Sequence, residues 1–185
     1  IKRFEVDKRT DLVSVKEDFD LVDGYKEHIL QYMYTNIPVR TETDWSIAFQ
    51  NRVQIFLSQS SLRSLFLKDA IVEALNSNNF PAFYALTKSF LEIPAQLGYL
   101  TYLLYENKSD EELKKELHKL TFAHKGGLTA EIGVEPINVL TMFDKLDIVM
   151  QKTSLSQTTD SEEIKRIRVD KAMRTIYEDI CNFGH

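Results

Sequence analysis

Between positions 80 and 105 the chain carries only two charged residues, Lys88 and Glu92, in an otherwise apolar and helix-forming stretch. A charge among apolar neighbours is costly unless paired, so both residues are expected to have partners. Their spacing of four puts them on one helical face, within reach of each other or of a common partner. A carboxylate so placed can be a base, a metal ligand or a paired structural group, and the sequence leaves these roles open. Arg52 and Arg63 are the natural partners. Trp45, Arg52, Phe56, Arg63 and Ala70 follow one another in steps of 7, 4, 7 and 7, which places both arginines inside an apolar stripe of the preceding helix. A guanidinium there seeks a carboxylate or phosphate that it can grip bidentately, or else snorkels its head group to water. His185 is the histidine to watch, because it follows Gly184 at the end of an amphipathic helix, where the chain can turn into a cleft.

Other chemistries have little support. No Glu is followed by His three positions later, which removes the di-iron bundle pattern. His118 and His124 are six apart and do not share a helical face, so no metal is expected. His118, within a run of Lys and Glu, is expected to be solvated. There is no Walker A loop, no Gly-x-Gly-x-x-Gly and no Gly-x-Ser-x-Gly. Cys181, the single cysteine, lies one turn before His185, but spacing does not supply a thiol with a base. No cofactor is indicated.

The elements that would hold these residues are helices. Six Gly and four Pro in 185 residues are few for a turn-rich β architecture. A helix is expected over about 12–36, with Gly24 weakening its middle, and a second over 44–75 after the capping residues Thr41–Asp44. The apolar helix from Phe80 starts at Pro81 and should kink at Pro94. Ser109-x-x-Glu112 is a capping box opening a helix to about His124. Pro136 begins another, reaching about Gln151, followed by a Ser/Thr-rich connection over 152–159. Asp160-x-x-Glu163 caps the last helix, whose Val169, Ala172, Met173, Ile176, Tyr177, Ile180 and Phe183 form a stripe. Lys165, Arg166, Arg168, Lys171 and Arg174 read as its solvated side. The expected fold class is all-α, a bundle of about five to six helices around a central apolar helix. An N-terminal helix and lead-in (1–43) would precede a core (44–185), in one domain overall.

Composition narrows the function classes. The net charge of −5 disfavours a sequence-independent grip on phosphate backbones. A lone cysteine rules out an intrachain disulfide framework and points to a reducing, cytoplasmic compartment. No signal peptide is visible, and the stretch 93–105, broken by Pro94, Gln96 and Gly98, is too short to span a bilayer, so no membrane partner is expected.

The order of a long helix, then Phe83-Tyr84-Ala85-Leu86-Thr87-Lys88-Ser89-Phe90-Leu91-Glu92, then a last helix closing in Tyr177-Glu178-Asp179-Ile180-Cys181-Asn182-Phe183-Gly184-His185 resembles uncharacterised bacterial members of the HEPN-like superfamily. In such relatives the central helix carries a basic-x-x-x-Glu signature, and the last helix ends in a Tyr-containing segment leading to His. The resemblance covers roughly 44–185. It implies a helical bundle, frequently a homodimer, that binds RNA or a nucleotide and whose catalytic members are metal-independent ribonucleases of defence or toxin systems. On that reading His185 is the general acid–base, Arg52 or Arg63 stabilises the charge developing on phosphorus, and Lys88, Glu92 and Tyr177 orient the site. The family's Arg and His, separated by four to six residues, are not found here, since the last Arg before His185 is Arg174, eleven residues upstream. The competing expectation is a non-catalytic helical module for dimerisation or protein interaction.

Overall fold

A computed structural model describes residues 24, 45–122, 135–157 and 171–183 of the chain. These residues form five helices: α1 (Trp45–Asn76), α2 (Phe80–Tyr105), α3 (Asp110–Phe122), α4 (Val139–Gln157) and α5 (Ala172–Phe183). No strand occurs among them. Over the described residues the fold is all-helical. Of the expected helix over 12–36 only Gly24 is described, helical and exposed, and the caps at 41–44 and 160–163 lie outside the described residues, as does His185.

Local chemistry accounts for most of the ends. Asn78 takes a left-handed backbone (φ 57°) after α1, and the Asn79 side chain accepts the Ala82 N–H at 3.3 Å to open α2, with Pro81 in its first turn. At α3 the capping box forms reciprocally. The Ser109 N–H donates to Glu112 Oε2 at 3.2 Å, and the Glu112 N–H reaches Ser109 Oγ at 3.4 Å. Two ends differ from expectation. Helix α4 begins at Val139, not Pro136, because Asn138 Oδ1 accepts the Leu140 N–H at 2.9 Å and acts as the cap. It also runs on to Gln157, through residues whose Ser/Thr content suggested a connection.

Packing is organised by α2, which contacts α1, α3, α4 and α5. It continues unbroken through Pro94, and its buried residues (Ile93, Ala95, Gly98, Leu100 and Leu103) all lie in its second half. The first half is only partly covered, so Lys88 and Glu92 are half-buried rather than interior. The core joins Phe56 of α1, Ala95 and Leu100 of α2, Leu117 and Leu120 of α3, Met142, Phe143 and Leu146 of α4, and Tyr177 of α5.

Helix α1 corrects one expectation. Its buried line is Phe56, Ser60, Ser64, Lys68 and Val72, at steps of four. A step of four advances about 40° around the helix, whereas a step of seven falls back about 20°, so two lines leaving Phe56 diverge. Arg63, seven after Phe56, therefore leaves the buried line, and Arg52, one step of four before Phe56, is exposed because burial along that line begins only at Phe56, so neither arginine lies within a buried stripe.

Candidate functional site

The α2–α5 seam brings together residues from four helices. Glu92, on the half-covered part of α2, accepts a hydrogen bond from the Tyr177 hydroxyl at 3.2 Å through Oε1. Its other oxygen lies 3.9 Å from an Arg63 nitrogen of α1. One turn earlier on α2, Lys88 Nζ stands over the Tyr177 ring, 5.8 Å from its centroid, a cation–π contact. Lys88 and Glu92 thus share Tyr177, as their spacing allows. The ring of Tyr177 rests on Phe143 of α4 with centroids 4.6 Å apart, which locks the phenol in place. Toward the end of the seam, Tyr84 of α2 stacks on Phe183 of α5, with centroids 6.0 Å apart and 19° between the planes.

Burial raises the Tyr177 hydroxyl above the ordinary phenol range, and the Glu92 carboxylate and the Cys181 side chain one turn on push it further the same way. At neutral pH Tyr177 is therefore a fixed donor and not a proton source. Each oxygen of Glu92 faces one of these neighbours, so the carboxylate orients Tyr177 and Arg63. The Arg63 side chain is 44% exposed and the Glu92 side chain 29%, so the guanidinium presents its remaining N–H groups to solvent. The seam offers two cations, Lys88 over the Tyr177 ring and Arg63 beside Glu92, and the Phe183 ring is 71% exposed.

Four of the six residues singled out in the sequence meet here: Arg63, Lys88, Glu92 and Tyr177. Arg52 does not join them. Eleven residues before Arg63 on one helix, it is about 16 Å away along the axis and lines a separate cavity against α3. His118, expected in solvent, is half-buried and lines that cavity too. His185 lies outside the described residues.

Sequence reasoning missed the carboxylates that seat α5. Asp144 of α4 accepts two bonds from Arg174, at 2.9 and 3.0 Å, and pairs with Lys171 at 3.2 Å. Burial would raise this carboxyl, but the hydrogen bonds from Arg174 and Lys171 outweigh it and hold Asp144 below the usual range. Asp147, one turn on, accepts the Met173 N–H at 3.2 Å through Oδ1 and so caps α5 from another helix. Its Oδ2 is buried without a hydrogen bond, and burial raises its carboxyl despite the backbone donors of Met173 and Arg174. The available signal was two carboxylates three apart, set among Met142, Phe143 and Leu146.

Among the described residues no group of three His, Cys, Asp or Glu side chains is placed to hold a metal ion, and no helix is long and apolar enough to cross a membrane. Compared with family models, curated proteins and solved structures, the chain matches none of them.

Proposed function

We propose that this chain is a HEPN-like helical domain that binds RNA or a nucleotide along the α2–α5 seam, as a cytoplasmic homodimer. One observation carries the reading. Arg63, Lys88, Glu92 and Tyr177, dispersed over more than a hundred positions, converge at one place. Glu92 holds Arg63 toward the seam, and Tyr177 anchors Glu92 to the core, so the guanidinium is oriented before a phosphate arrives. The Tyr84–Phe183 stack and the exposed Phe183 ring supply surfaces on which an unpaired base can lie. Where cleavage accompanies binding, it is metal-independent and uses His185 as general acid–base, with Arg63 rather than Arg52 stabilising the phosphorane.

The test is single-stranded RNA binding and cleavage in EDTA. Arg63→Ala with Lys88→Ala removes both seam cations and weakens binding by at least about tenfold, the effect of even one lost charge-assisted contact. His185→Ala abolishes cleavage and leaves binding in place. A folded wild-type protein that binds neither RNA nor nucleotide refutes the proposal. The interaction-module reading has one specific observation in its favour: Leu62 and Phe66, one turn apart on α1, are both exposed, Phe66 at 68%. It predicts that Phe66→Glu shifts the oligomeric state without altering RNA affinity.

A further inference from the structure

Arg52 lines two adjoining cavities between α1 and α3, away from the α2–α5 seam. The larger, about 580 Å³, is lined by Arg52, Lys114, Lys115, His118 and Lys119. Glu111 and Glu135 also line it, and Lys119 is paired with Glu116 of the same helix. The smaller, about 270 Å³, is lined by Ile55, Leu117 and Thr121 together with the same Arg52 and His118. Arg52 and His118 thus stand at the junction of a cationic lobe and a mostly apolar one.

This division into lobes has chemical consequences. Lys119 is drawn to Glu116 at 2.7 Å, and Glu116 is itself held by the Tyr99 hydroxyl at 2.8 Å, so the α3 wall is anchored to α2. Arg52 is exposed and lines both cavities, and its guanidinium can grip an anion bidentately. The floor of the small lobe is Leu117, a core residue, so that lobe is fixed in shape. The combined space falls within the range of small-molecule sites. Glu111 and Glu135 on the wall of this cavity disfavour a long polyanion there while leaving a local well for a small one.

We propose that this double cavity binds a small phosphate ester with a compact apolar body. The phosphate sits against Arg52 and Lys115, and the organic part lies on Ile55, Leu117 and Thr121. The site is distinct from the seam and does not depend on it.

Titration calorimetry with 1-naphthyl phosphate, inorganic phosphate and 1-naphthol tests this on the full chain. The ester binds at least about tenfold more tightly than either fragment, because each lobe holds one half. Arg52→Gln, at an exposed position, weakens the ester by about tenfold or more. Ile55→Glu brings the ester down to the affinity of inorganic phosphate. Amide NMR shifts on adding the ester to wild type fall at Lys115 and Thr121, a readout independent of how the variants fold. No binding of the ester, equal affinity for ester and inorganic phosphate, indifference to Arg52→Gln, or shifts confined to the α2–α5 seam would each overturn the proposal.

Discussion

At the scale of single residues, the seam separates what stabilises from what binds. The Arg63–Glu92 pair is partly exposed and 3.9 Å apart, a geometry whose contribution to stability is under about 1 kcal/mol. Arg63→Ala should therefore leave the denaturant midpoint almost unchanged while lowering RNA affinity, which urea melts and anisotropy titrations on one preparation will check. Tyr177 is the reverse case, because its ring is in the core and its hydroxyl meets Glu92. Tyr177→Phe keeps the ring and loses the hydrogen bond, costing about 1 kcal/mol. Tyr99 and Tyr177 are both raised above the ordinary phenol range, first by burial and then by Glu116 and Glu92 respectively. For an acid raised in the folded state, stability is complete below the unfolded value and is lost as pH climbs through the folded one. Stability should hold to about pH 10 and fall above it, and the fall should be shallower in Tyr99→Phe and Tyr177→Phe.

At the scale of elements, two close fits set the positions of α4 and α5. Gly98 of α2 faces α4 so closely that an added methyl would lie 2.7 Å from the Leu146 Cβ and 2.9 Å from its Cα. Backbone cannot yield as a side-chain tip can, so Gly98→Ala should destabilise by about 1–3 kcal/mol, although alanine is the better helix former by about 1 kcal/mol. Thermal melts decide which effect prevails. Asp147 supplies the cap that α5 receives from α4. Asp147→Ala should cost about 1 kcal/mol, while Asp147→Asn retains the acceptor for Met173 and removes a buried charge. The signs with pH oppose each other. Asp147, raised by burial, disfavours the folded state once pH exceeds its unfolded pKa. Asp144, lowered by Arg174 and Lys171, adds stability above its unfolded pKa and loses it as pH falls. Above about pH 5 the Asn variant should equal or exceed wild type, a comparison that chemical denaturation at several pH values makes directly.

For the whole molecule, the acidity of the chain limits how it can use its cations. With two positive side chains at the seam and a net charge of −5, RNA binding should involve about two phosphates. The logarithm of the affinity should then fall with the logarithm of salt at a slope near −1.4, about 0.7 for each phosphate on a single strand. A steeper slope would move the contact to a more basic surface. The Arg52 cavity is the described alternative, so Arg52→Gln should leave this slope unchanged.

Several features were written in short-range sequence. Asn79 with Pro81 started α2, Ser109 with Glu112 started α3, and a spacing of four put Lys88 and Glu92 on one face. These hold because caps and shared faces depend on neighbours a turn away. The chain alone also determined the acidity and the single cysteine. Tertiary structure decided which face of α1 is buried, since a stripe at steps of seven and one at steps of four are both present and only the packing of α2 selects between them. It decided that the common partner of Lys88 and Glu92 is Tyr177, 85 positions beyond Glu92, and that Asp147 rather than a local residue caps α5. It also assigned Arg52 and Arg63, so alike along the chain, to different sites. Local spacing fixes which side chains travel together, and the neighbour that each face meets is set by how the helices pack.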